Sequence, residues 1–263
     1  MTPAPLITLL TDFGTQDAYV GILKGVIAEI CPEARVIDLT HEIAPQDLLA
    51  ARFNLLNAHP YFPPGTIHVA VVDPGVGTAR RGVAIQTAGS VLVGPDNGIF
   101  SGILTASPAL AAVALARTEY WRTRLPSTTF HGRDIFAPVA AHLAQGISLA
   151  ALGNPIEPQS LATLEIPPVV QSGQRVRGSV QYCDRFGNLI TNLTPEHLPN
   201  GPWQAQLGEH ILPSARTYSE VLPSQPLSLI GSHGWLEIAV NGGSAQQQLQ
   251  ASVGTCVWIE PAE

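Results

Sequence analysis

Three carboxylates stand where apolar runs break into turns: Asp12 in LLTDFG, Asp73 in VVDPG and Asp96 in VGPDNG. In open α/β sheets, ligands sit outside the carboxyl ends of strands, so three such turns point to one polar crevice. Taken singly, each is also explained by the turn preference of Asp, Gly, Pro and Asn. After Asp73 the chain runs PGVGTARR, which puts Arg80 seven residues on and Arg81 beside it. His131, in TTFHGRDIF, occupies a polar turn next to Gly132, where a backbone can approach closely. A lone histidine in such a turn is also explained as a cap or a surface residue. Spacing alone does not bring His131 to Asp73; only the fold can.

Other chemistries lack their residues. GVG at 75–77 has no third glycine of a dinucleotide fingerprint. There is no GxxxxGK[ST] phosphate loop and no GxSxG elbow, and in HEIAP (41–45) Pro45 stands where a zinc-binding HExxH needs its second histidine. Cys31, Cys183 and Cys256 fit no CxxC spacing, so they read as reduced structural thiols, with no metal site expected. Lys24 is the only lysine, which leaves Schiff-base chemistry to that residue or to none.

Those groups need a scaffold, and 263 residues with 45% hydrophobic and 13% charged side chains can build one. A net charge of −7 argues against a nucleic-acid partner. No run approaches the roughly 20 apolar residues of a membrane span, and the first residues, MTPAPLITLLTDFG, lack a basic leader. A soluble cytoplasmic protein is expected.

Apolar runs predict strands at 5–11, 35–40, 67–73, 82–87 and 90–94. Helical spacing covers 18–30, where Pro32 ends it, then 46–58 and 132–145, with Pro138 inside the last. Alternating strands and helices predict a layered α/β domain with a largely parallel sheet, over residues 1–160. Proline, glycine and polar residues at 153–174 read as a linker. Beyond it, short alternating runs (RVRGSVQY, NLITNL, LSLIGS, LEIAV, CVWIE) predict a small β-barrel domain over 172–263.

Taken together, LTDFGTQDAYVGILKG, IDLTHEI, VVDPGVGTARR, VGPDNG, TFHGRDIFAP, DRFGNLITN and GSHGWLEIAVNGGSA resemble the S-adenosylmethionine hydroxide adenosyltransferase family. That family is related to enzymes that attack S-adenosylmethionine with fluoride or chloride. The resemblance runs in order along nearly the whole chain. It implies a trimer, with each active site between the N-terminal domain of one subunit and the C-terminal domain of the next. It also implies conversion of S-adenosylmethionine and water to adenosine and L-methionine by displacement at the ribose C5′, with no cofactor and no metal.

By the same resemblance the water-handling set is Asp73, Arg80 and His131; alignment with the motif, not first principles, selects Arg80 over Arg81. Bulk water has a pKa of about 15.7, so hydroxide is scarce at neutral pH. A guanidinium would stabilise it and a neutral imidazole would take the proton. Asp12 would accept hydrogen bonds from both ribose hydroxyls. Asp17 would bind the methionine ammonium, although a carboxylate there also suits a helix N-terminus. Phe186 and Asn188 would reach the nucleoside and Tyr218 would stack on adenine. Ser232, Glu237 and the backbone near Val240 and Gly242 would hold the base edge, with Trp235 and Ile238 in the barrel core. The halide enzymes carry aromatic hydroxyls where this chain has Asp73 and His131, and the fluorinating ones a serine at the Gly132 position. Asp73 would repel a bound anion, so halogenation is disfavoured. A protein that binds or senses S-adenosylmethionine without turnover is the rival reading.

Overall fold

The computed structural model describes residues 4–262. The chain divides into two compact units, Met1–Leu164 and Glu165–Glu263. The division falls inside the proline-rich stretch read as a linker, but that stretch is not all connection: Gly153–Ile156 is a strand of the first unit's sheet.

The first unit places β1 (Leu6–Thr11), β2 (Arg35–Thr40), β3 (Thr66–Val71), β4 (Gly82–Gln86), β5 (Ser90–Pro95), β6 (Ala111–Leu115) and β7 (Gly153–Ile156) in one sheet, ordered β2-β1-β3-β5-β4-β6-β7. The strands β2, β1, β3 and β5 are mutually parallel. Only β4 and β7 are reversed, which leaves five of the seven strands running the same way. The helices are α1 (Tyr19–Ile30), α2 (Leu48–Ala58), α3 (Ser101–Ala106) and α4 (Ala137–Ala144).

Strand alternation explains the layers. Ile7, Leu9, Val69 and Val71 face one side, against Leu23 and Ile27 of α1 and Val139 and Ala140 of α4. Leu10, Ala70 and Val72 face the other, against Ala51 and Leu55 of α2 and Ile103 of α3. Strands buried on both faces read as largely apolar runs, and two polar residues that β1 and β3 bury, Thr8 and His68, bond each other. Asp47 starts α2 by accepting from the Ala50 amide at 2.9 Å. The expected helix at 132–145 divides: a π-helical turn, Gly132–Phe136, leads into α4 with Pro138 in its first turn. Proline is tolerated there because first-turn amides lack helical acceptors. The alanine-rich β6 and the short α3 were missed, since neither carries a clear period.

In the second unit, β8 (Val170–Ser172), β9 (Arg175–Cys183), β10 (Leu189–Thr191), β11 (Trp203–Leu207), β12 (His210–Pro213), β13 (Pro226–Ile230), β14 (Leu236–Val240) and β15 (Cys256–Pro261) pair antiparallel, with a short α5 (Ala245–Gln248). The order is β12-β11-β15-β9-β10-β14-β13, and a bridge between Ser214 and Ser228 nearly closes it into a barrel. Val180, Leu189, Ala205, Leu236, Ile238 and Val257 fill its core. Trp235, expected there, is instead half-buried beside the His233 ring.

One buried polar group gives the fold a pH dependence. His68 on β3 is 1% exposed, bonds Thr8 Oγ1 through Nδ1 at 2.7 Å, and lies with its ring centroid 5.1 Å from that of His59. Burial, and then repulsion from His59, push its pKa down to about 3. Unfolded, it titrates near 6.5, so between those values the unfolded chain binds a proton that the folded chain does not. Its contribution to stability is therefore complete above about pH 6.5 and is lost as the pH falls toward 3. Urea unfolding of the native protein and of His68→Gln should show that the native stability falls more steeply between pH 6.5 and 5. The difference in slope should approach about 1.4 kcal/mol per pH unit.

Candidate active site

The adjacent parallel strands β1 and β3 deliver Asp12 and Asp73 to one cavity of about 270 Å³ in the first unit. Asp12, Phe13, Pro45, Gln46, Val71 and Asp73 line it, and the segment Thr129–Gly132 brings His131 to the same space. Arg80 stands behind this wall. Its Nε donates to Asp73 Oδ1 at 2.9 Å, its Nη2 donates to Asp73 Oδ2, and Nη2 also lies 2.8 Å from His131 Nδ1. The Arg80 and Asp73 side chains are 11% and 6% exposed. Asp73, Arg80 and His131 are thus one hydrogen-bonded group.

The local sequence explains how the turn returns an arginine to its carboxylate. Gly77 has φ +78°, and a Cβ there would lie 2.3 Å from the Thr128 carbonyl oxygen. The glycine lets the loop after β3 press directly onto the loop that carries His131. That second loop is pinned from below by Asp134, which is fully buried in the π-turn and accepts from the Ser127 amide at 2.8 Å. Burial would raise the Asp134 pKa, but Arg133 and the Ser127 amide hold it below its ordinary value. Single π-turns of this kind recur at functional sites.

Hydrogen-bond directions fix the state of His131. Arginine has donors only, so His131 Nδ1 must accept from Arg80 Nη2. In the neutral ring the proton then sits on Nε2. Burial first, and Arg80 second, push the His131 pKa below the usual histidine value, against the opposing pull of Asp73 and Asp134. The imidazole is therefore neutral at neutral pH and presents a donor, not an acceptor, at Nε2.

Arg81 points elsewhere. Its Nε donates to Asp96 Oδ2 at 2.8 Å and its Nη1 to Ser160 Oγ at 3.1 Å. Asp96 also accepts from the Ala162 amide at 2.8 Å. The expectation of three carboxylates in one crevice therefore fails for Asp96, which is a structural anchor with 6% side-chain exposure. Its neighbour Asn97 donates to the Val72 carbonyl at 2.8 Å and braces the approach to Asp73.

Phe13 and Phe130 also line the cavity, their centroids 5.8 Å apart edge to face, with Tyr19 5.3 Å from Phe130. These rings and Gln46 escaped sequence reasoning. Phe13 and Phe130 lie inside the motifs DFG and TFHG, but their role as walls shows only when two loops meet. Asp17 is exposed ahead of α1 and does not line this cavity; the first helical turn is capped by no side chain.

The second unit carries its own cavity of about 470 Å³, lined by Phe186, Asn188, Tyr218, Val240, Gly242 and Gly243. Asp184 builds the turn that presents Phe186 and Asn188, accepting from both of their amides at 2.9 and 2.8 Å. Gly187 between them has φ +81°, and a Cβ would strike Ser244 Oγ at 2.0 Å. Phe186 is 78% exposed and Tyr218 42%. Ser232 and Glu237 do not line this cavity. Ser232 is exposed, whereas Glu237 is 4% exposed and accepts from the Tyr218 hydroxyl at 2.7 Å. Burial, then Glu237, raise the Tyr218 pKa to about 12, so its hydroxyl remains a donor.

Residues 7–153 match the SAM hydroxide adenosyltransferase N-terminal domain and residues 178–258 the C-terminal domain of the same name. A protein of Thermus thermophilus named (R)-S-adenosyl-L-methionine hydrolase is 42% identical over 94% of this chain and 96% of its own. A more distant relative from Actinoplanes, named fluorinase, is 26% identical over 98% of each chain. The crystal structure of an uncharacterized conserved protein from Thermotoga maritima is similar with a TM-score of 0.90 and 35% identity, over 97% of this chain and 99% of that one.

Substituting Gly77 tests the loop contact. Gly77→Ala should cost about 1–2 kcal/mol from the left-handed backbone alone, and more from the Thr128 clash. Thermal unfolding should show a lower midpoint, whereas Gly89→Ala, which meets no atom within 4 Å, should leave it within about 0.5 kcal/mol of the native protein.

Proposed function

The chain belongs to the SAM hydroxide adenosyltransferase family, and from that premise we propose that it hydrolyses S-adenosylmethionine to adenosine and L-methionine by attack of water or hydroxide at the ribose C5′. The observation that supports this most is the buried Asp73–Arg80–His131 group in the wall of a cavity that Asp12 also lines.

The substrate supplies its own leaving group: as the C5′–O bond forms, the C5′–S bond breaks, its electron pair goes to sulfur, and the sulfonium becomes a neutral thioether. The protein's task is to hold the nucleophile in line and stabilise its charge. Asp73 has lone pairs left after receiving Arg80, so it can accept a water O–H and aim the oxygen. The Arg80 charge and the His131 Nε2–H stabilise hydroxide character on that oxygen. His131 could serve as a base only by releasing Arg80 from Nδ1. The proton instead leaves as the new bond forms, when the oxygen is far more acidic than any carboxylic acid, and Asp73 is the adjacent acceptor. No step of this chemistry calls for a cofactor.

Asp12 suits the ribose diol, since Oδ2 accepts from the Gln46 amide at 2.9 Å and the remaining lone pairs are open. Phe186 and Tyr218, exposed at the other cavity, suit an adenine ring. We propose that the protein assembles as a homotrimer in which both cavities serve one substrate. We also propose that it prefers the (R) configuration at sulfur, as the name of the Thermus relative states for that protein. A reducing cytoplasm suits its three free cysteines.

A halide nucleophile would meet the Asp73 charge, which disfavours halogenation. A sensor without turnover would have no use for a buried water-orienting group. Both are tested by incubating the protein with the separated sulfur epimers in ¹⁸O-water, with and without chloride. Adenosine carrying ¹⁸O at the 5′ oxygen, formed faster from the (R) epimer and reduced at least about 100-fold in Asp73→Asn, is the expected result. A 5′-chloro product, or tight binding with no product, would overturn the proposal. Because the His131 pKa is depressed, the rate should hold as the pH falls past the ordinary histidine value and drop only when the ring protonates, as a pH–rate profile would show. Native mass spectrometry should give three times the 27.8 kDa chain.

A further inference from the structure

The motif IDLTHEI and the single lysine have no part in the chemistry above, yet both lead to the Asp12 turn. His41 is 5% exposed at the end of β2. Its Nδ1 lies 2.8 Å from Thr11 Oγ1, the residue before Asp12. Thr11 Oγ1 accepts from the Phe13 amide at 3.2 Å, and the Gly14 amide donates to the His41 carbonyl at 2.8 Å. On its far side His41 Nε2 is 3.1 Å from Asp38 Oδ1 without a well-aligned hydrogen bond, and Lys24 Nζ donates to Asp38 Oδ2 at 2.6 Å.

The directions are mutually consistent. The Phe13 amide donates to Thr11 Oγ1, so the Thr11 hydroxyl proton is free to point to His41 Nδ1. That leaves the ring proton on Nε2, toward the Asp38 carboxylate, whose other oxygen Lys24 occupies. The same β2–α2 loop supplies the Gln46 amide to Asp12 Oδ2, from a residue held at φ +68°, a conformation that a non-glycine residue adopts only when its surroundings impose it. Thr11, Gly14 and the Asp12 carboxylate between them are therefore all tied to one segment, His41–Gln46.

We propose that His41 is a positioning residue: with Nε2 facing the Asp38 carboxylate that Lys24 pairs, it locks the Thr11–Gly14 turn so that the Asp12 carboxylate meets a cis-diol in one orientation. The link to ribose recognition rests on the hydrolase reading, but the test needs no turnover. Titration calorimetry with adenosine and with 2′-deoxyadenosine reads the diol contact directly.

The native protein should prefer adenosine, and His41→Ala should lose about tenfold in adenosine affinity with little change for the deoxynucleoside. His41→Asn, whose amide can take the place of Nδ1 toward Thr11, should restore most of the loss. Asp12→Ala and the double variant Asp12→Ala/His41→Ala should bind adenosine equally weakly, because one substitution removes what the other positions. Thr11→Val cuts the same link while keeping the imidazole, and serves if His41→Ala does not fold. A native preference ratio in a folded His41→Ala or Thr11→Val protein, additive losses in the double variant, or no preference for adenosine in the native protein would each overturn the proposal. Absence of hydrolysis with the calorimetric pattern intact would sink the hydrolase reading alone.

Discussion

The site depends on one buried guanidinium. Arg80 places two donors on Asp73 and shares one of them with His131, while its carbon stem passes close to the position a Gly75 Cβ would take and its head lies 5.2 Å from the Phe136 ring centroid. A charge this enclosed is tolerable only when its donors are satisfied and a counter-charge is in contact. Asp73 meets that condition, and the pair is electrically neutral. The imidazole completes it without adding charge, since its pKa is pushed down by burial and by Arg80 itself. The result is a polar wall with a carboxylate edge and an N–H edge, chemically suited to holding a water. Lysine could not replace Arg80, because a compact ammonium offers no planar fork to span a carboxylate and an imidazole at once.

The scaffold for that guanidinium was largely legible in the sequence. Largely apolar runs announced β1 and β3, because strands covered on both faces have little room for polar side chains. Asp12 and Asp73 followed as residues at strand ends, and the pairing of β1 with β3 makes them neighbours. The runs could not show which carboxylates share a cavity: Asp96 ends β5 with the same turn chemistry, yet its partners are Arg81 and the 160–162 segment, which no local pattern announces. The walls Phe13, Phe130 and Gln46, and the clash that makes Gly77 necessary, depend on contacts between loops far apart in sequence. Glu237 illustrates the same limit from the other side. Its type and place fit a base-edge contact, but the Tyr218 hydroxyl already occupies one of its oxygens.

The two adjacent arginines show how little separates the working arrangement from another. Arg80 and Arg81, adjacent ahead of β4, take different partners. Arg80 turns back to Asp73 while Arg81 reaches Asp96, so the pair clamps the ends of β3 and β5 to the start of β4. Each carboxylate is almost wholly enclosed, and each would be an uncompensated buried charge if the register slipped by one residue. The register of the Asp73–Arg80 loop is therefore fixed by two ion pairs jointly, and Arg81 secures the geometry of the Asp73–Arg80–His131 group without joining it. The sequence ARR followed by Gly82 reads as a simple basic pair, but its two members have separate duties: one joins Asp73 and His131, the other holds that one in register.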